Sequence, residues 1–97
     1  MGSNSQAGAM QLVDLYGQGL QRALGEVIRR KGVKLTSAQL TATCNAGKRI
    51  AMARWDSLLA EMKEANDCHM GNGMLQAILA AGCMSVACEA LNEGLAA

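Results

Sequence analysis

The chain has 97 residues, of which 51% are hydrophobic and 18% are charged, and its nine basic and eight acidic side chains give a net charge of +1. It contains no proline, no phenylalanine, one tryptophan and one tyrosine, and this lack of turn-forming and strand-favouring residues excludes an all-β sandwich or barrel. The apolar content excludes a disordered chain, and the length corresponds to one domain.

The first predicted helix covers about residues 7–31, where apolar side chains recur at intervals of three and four. Gly32 follows the last of them and is placed to end the helix in the left-handed conformation that glycine adopts readily. Residues 1–6 show no such pattern and are predicted to be a flexible leader. Residues 7–97 are then predicted to form a single helical domain.

The second predicted helix has a well-defined start. Thr36 and Gln39 have the spacing of a capping box, in which each side chain bonds the backbone N–H of the other residue. This motif places the first helical residue at Ser37. The apolar stripe that follows keeps helical spacing past Trp55, so we expect one continuous helix to about Asn66.

The third predicted helix runs from about Gly73 to Glu93, with Asn72 as its N-cap, and is apolar nearly all round. A helix of this kind is either central in a larger assembly or inside a membrane. Its glycines and polar residues make insertion into a membrane unfavourable. We expect one face to pack on the other two helices, formed by Leu75, Ile78, Leu79 and Val86.

The opposite face of the third helix is the predicted partner interface. Its small residues would let another helix approach closely. We assign to this interface Gly73, Ala77, Ala81, Met84, Ser85 and Cys88, and we place Leu91 on the same face. The predicted fold is thus all-α, a three-helix antiparallel bundle completed by self-association through the third helix. A homodimer is the expected assembly, and a foreign helical protein is the alternative partner.

Basic residues are concentrated in the middle of the chain, since residues 22–54 hold eight of the nine cations. An antiparallel pair of helices would bring several of them to one end of the bundle, where they could bind phosphates or an acidic partner. This candidate patch comprises Arg22, Arg29, Arg30, Lys34, Lys48 and Arg49. A small nucleic-acid-binding regulator is therefore the alternative function, and a solvated basic face is the simpler interpretation.

The sequence predicts no enzyme, metal or cofactor site. Four cysteines and one histidine are present, but no Cys-x-x-Cys pair occurs, and Cys83 and Cys88 point to different sides of a helix. We expect four free thiols in a reducing, cytoplasmic compartment, with a secreted effector as the alternative. The predicted function is a non-enzymatic interaction module: a small adaptor, chaperone or assembly subunit.

Overall fold

The computed structural model describes residues 2–69 and 71–97, with side chains from residue 11 onward. Within these ranges the chain forms four α-helices and no strand. They are α1 (Gly2–Lys31), α2 (Ser37–Ala53), α3 (Trp55–Asp67) and α4 (Gly71–Leu95). The predicted all-α class is confirmed, although the predicted count of three helices is wrong.

Local sequence signals set the C-terminus of α1 and the N-terminus of α2. Gly32 has φ 64° and its N–H bonds the Ile28 carbonyl at 3.1 Å, which confirms the predicted C-terminal cap. The capping box is also present, with the Gln39 N–H 3.1 Å from Thr36 Oγ1 and the Thr36 N–H 3.0 Å from Gln39 Oε1. The other end of α1 begins at Gly2, so residues 2–6 of the predicted leader are part of the helix, and Met1 lies outside the described residues.

The predicted second helix is divided at Arg54 into α2 and α3. Arg54 has φ −99° and ψ 0°, and its N–H bonds the carbonyls of Ile50 and Ala51 at 3.1 and 3.2 Å. Arg54 interrupts the series of apolar residues that faces α4. Its side chain forms hydrogen bonds with Ser85 and Glu89. The Arg54 side chain is 40% exposed, and both of these partners lie on α4.

The connection between α3 and α4 uses two residues in the left-handed region, His69 with φ 56° and Gly71 with φ 76°. Because the chain reverses within these few residues, α4 already begins at Gly71. Asn72 therefore lies inside the first turn of α4, and its prediction as the N-cap is wrong.

Helix α4 is the centre of the molecule, because it packs against α1, α2 and α3. Its C-terminal half is the most buried segment, with Val86, Ala87, Ala90 and Leu91 all 0% exposed. Leu91 was predicted to face a partner and instead lies in the core. The reason is that the buried side of α4 near its C-terminus, which includes Cys83, Ala87 and Gly94, extends round the helix as far as Leu91.

The contacts between helices define their directions. Gly94 lies against Thr43 while Ser85 contacts Arg54, so α2 runs antiparallel to α4. The side chain of Leu24 lies near Gly47, and the Tyr16 ring stacks on Trp55 further along. Helix α1 is therefore antiparallel to α2, and the pair leaves an outer surface on the side away from α4.

Candidate functional site

The N-terminal half of α4 is far more exposed than its C-terminal half. Between residues 73 and 81 no side chain is buried, and Leu75, Ile78 and Leu79 are half-buried. Ile78 and Leu79 pack against the core. On the other side of this half, which no described helix buries, Met74, Ala77 and Ala81 are exposed, and Ala81 also lines a groove beside Leu58 and Glu61 of α3.

Most of the predicted interface residues lie on that uncovered side. Five are exposed, namely Gly73, Ala77, Ala81, Ser85 and Cys88, while Met84 is half-buried and packs against the core. At about 100° per residue the six positions fall within about a third of the helix circumference. We call them the α4 outer face. Met74, which is 43% exposed, lies on the same side.

The outer face is bordered by ion pairs that join α4 to α2 and to the α2–α3 junction. Arg54 donates to Ser85 Oγ at 3.1 Å and pairs with Glu89, and Arg49 pairs with Glu93. Glu93 raises the pKa of the Arg49 guanidinium above its ordinary value through their hydrogen bond and charge attraction. Basic residues from the middle of the chain therefore pair with acidic residues near its end within one molecule.

The six cations of the predicted basic patch are not gathered at one place. Arg29 and Arg30 both pair with Glu26, and the Arg30 Nε lies 2.9 Å from Glu26 Oε1. Arg49 forms its ion pair with Glu93. Arg22 and Lys48 line different grooves beside α1, and Lys34 is exposed in the loop before α2. Phosphate binding by these residues stays a prediction.

A groove on the side of the bundle away from α4 was not predicted. It has a volume of about 490 Å³ and lies between α1 and the α2–α3 segment. We call it the α1–α2 groove, and it is lined by Val13, Tyr16, Gly17, Leu20, Lys48, Ala51, Met52 and Trp55. The rings of Tyr16 and Trp55 stack at 5.7 Å between centroids. The lining of the groove comes from segments far apart in the chain, so the spacing within one helix does not reveal it, and Gly17 in mid-helix is the one local feature that marks it.

The cysteines have two different environments. Cys83 is buried, and its thiol donates to the Tyr16 carbonyl at 3.6 Å, whereas Cys44, Cys68 and Cys88 are exposed. Burial raises the pKa of the Cys83 thiol above its ordinary value of 9.0, so this group stays neutral and weakly nucleophilic near neutral pH. Among the described residues, no three His, Cys, Asp or Glu side chains lie close enough together to bind a metal ion.

We expect thiol titration of the denatured, non-reduced protein to give four free thiols. In the native protein three should react rapidly, and Cys83 should react on the order of 100-fold more slowly, because reagent reaches it only after local opening. A Cys83→Ala variant, which removes the slow thiol and leaves three fast ones, is the control. Two or fewer thiols after denaturation would contradict the reducing compartment and the free state of the cysteines.

Helix α4 is also long and apolar enough to cross a membrane, judged by length and composition alone. The core helix of a soluble protein meets the same criterion. Only 28% of its most apolar window is buried within the chain. The apolar surface of α4 thus exceeds what the other described helices cover.

Neither the α4 outer face nor the α1–α2 groove carries a group of side chains arranged for nucleophilic or acid–base chemistry among the residues described. Both are apolar surfaces with one or two polar groups at their edges. Comparison of the chain with family models, with curated proteins and with solved structures finds no match.

Proposed function

We propose that the protein is a non-enzymatic helical interaction module, a small adaptor, chaperone or assembly subunit, whose α4 outer face binds the same face of a second copy. The observation that carries this proposal is the uncovered apolar surface of residues 73–81, which lies on the central helix of the fold. Exposed apolar patches of this kind mark interaction surfaces. A foreign helical partner is the alternative occupant of the same face.

The chemistry of the outer face suits a helix rather than a flat or polar partner. Gly73, Ala77, Ala81 and Ser85 follow one another at intervals of four residues, so a second helix can approach the backbone of α4 closely. No charged residue occurs between residues 69 and 88 to oppose this approach. A two-fold axis lets one self-complementary face serve both subunits, and such dimers are the commonest symmetric assemblies.

An Ala81→Arg variant tests the proposal. The arginine would place an unpaired charge in the centre of the interface, which costs about 3 kcal/mol or more, so the dimer should weaken on the order of 100-fold. Far-ultraviolet circular dichroism should show unchanged helicity, since Ala81 is exposed within one chain. Sedimentation velocity at high micromolar concentration measures the change in association.

The matched control is Ala60→Arg, which adds the same side chain to an exposed alanine on α3, outside the outer face. It should leave the dimer intact. Equal dissociation of both variants would contradict the assignment of the interface to α4. A compact 10.1 kDa monomer for the unmodified protein would overturn self-association and leave the foreign helix as the occupant.

A further inference from the structure

We propose that the α1–α2 groove binds a single-chain amphiphile with a carboxylate head, such as a free fatty acid. This site goes beyond the proposed function, because the α4 outer face takes no part in it. Three features of the groove carry the inference: its apolar lining, a glycine that the fold does not require, and a single cation at its edge.

The lining is almost wholly apolar and stays accessible. Met52 is 79% exposed and Val13 is 53% exposed, so two large apolar side chains stand at the edges of the groove. The stacked rings of Tyr16 and Trp55 form its aromatic end. A volume of about 490 Å³ is within the range of small-molecule sites, which are mostly apolar with a few polar groups.

Gly17 lines the groove without adding a side chain to it. Glycine inside a helix is less stable than alanine, and Gly17 therefore weakens α1 locally. At Gly19 on the same helix the fold leaves no room for a side chain, because a Cβ there would lie 2.8 Å from Cys83 Sγ. A Cβ at Gly17 would meet no atom within 4 Å. The space above Gly17 is therefore not used by the chain itself and is available to a ligand.

Lys48 is the one charged residue among those that line the groove. It is exposed and forms no salt bridge with the residues that the structure describes. A ligand that is apolar along its length and anionic at one end complements this arrangement, with its chain along Gly17 and its carboxylate at Lys48.

Trp55 is the only tryptophan of the chain and lines the groove, so its fluorescence reports binding directly. We expect dodecanoate, titrated as monomers below micelle formation, to change this fluorescence saturably. Dodecyltrimethylammonium has the same chain with the opposite charge and should bind on the order of tenfold more weakly. A Lys48→Glu variant should reverse that preference, because it exchanges the sign of the charge at the edge.

A second pair of variants separates ligand binding from changes in helix stability. Gly17→Leu fills the groove and should weaken dodecanoate on the order of tenfold or more. Gly25→Leu makes the same change on α1 at an exposed glycine that also has nothing within 4 Å and does not line the groove. It should bind dodecanoate as the unmodified protein does.

The proposal is overturned if dodecanoate gives no saturable change, if both amphiphiles bind equally, or if both leucine variants lose binding equally. It is also overturned if Trp55 fluorescence changes with protein concentration and Gly17→Leu abolishes that change, since a second copy would then occupy the groove. Ala81→Arg should still bind dodecanoate. Loss of binding in Ala81→Arg alone would place the ligand on the α4 outer face, so the two proposals fail separately.

Discussion

Gly94→Ala is expected to destabilise the protein by about 3 kcal/mol, the upper end for overpacking a core. A Cβ at this position would overlap Thr43 Oγ1, and it would lie 2.8 Å from Thr43 Cβ and 3.0 Å from the Gln39 carbonyl oxygen. Thr43 is 0% exposed and its hydroxyl already donates to that carbonyl, so it has no free space into which to move. The melting temperature should fall by about 10 °C or more.

Gly25→Ala is the matched control, because this glycine lies on α1 with nothing within 4 Å of its added Cβ. Here the ordinary helix preference applies, and stability should rise by about 0.5–1 kcal/mol. Both variants are followed by thermal unfolding in circular dichroism. A stabilising effect of Gly94→Ala would show that α2 and α4 do not meet at Thr43, and the antiparallel packing of the two helices would have to be revised.

The features that the sequence predicts correctly are local ones. The capping box of Thr36 and Gln39 and the left-handed Gly32 each depend on residues within one turn of helix. Such signals are complete in the sequence, because both partners of every bond are neighbours in the chain. The all-α class follows in the same way from composition and helical spacing.

The break at Arg54 has no comparable local signal in the sequence. No proline or glycine marks it, and the apolar stripe continues from Ala51 to Leu58 as if the helix were unbroken. The partners of Arg54 are Ser85 and Glu89, which are brought to it by the register of α2 against α4. That register could not be read from spacing within either helix.

The two candidate surfaces also differ in whether the sequence of a single helix is enough to predict them. The α4 outer face was predicted from the excess of apolar residues around one helix, and most of its residues are exposed in the structure. The α1–α2 groove was not predicted, since it needs the spatial relation of Gly17 to Met52 and Trp55 on another helix. The pairing of Arg49 with Glu93 likewise depends on the register of α2 against α4.

Leu91→Ala is expected to cost about 2–5 kcal/mol, because it removes a fully buried side chain from the most tightly packed part of the core. Leu91 is 0% exposed and lies on α4 between Ala87 and Gly94, where α1 and α2 both pack. The cavity left by truncation has rigid helices around it and cannot collapse completely. Urea denaturation should show a lower midpoint at an unchanged slope.

Leu95→Ala is the control for Leu91→Ala, as it makes the same truncation one turn later at a residue that is 36% exposed. Its cost should be below about 0.5 kcal/mol for a surface site. The pair also separates folding from assembly, because Leu91 supports the core whereas Ala81 lies on the α4 outer face. If Leu91→Ala leaves the unfolding midpoint unchanged but dissociates the dimer, Leu91 faces a partner after all, and the C-terminal half of α4 belongs to the interface rather than to the core.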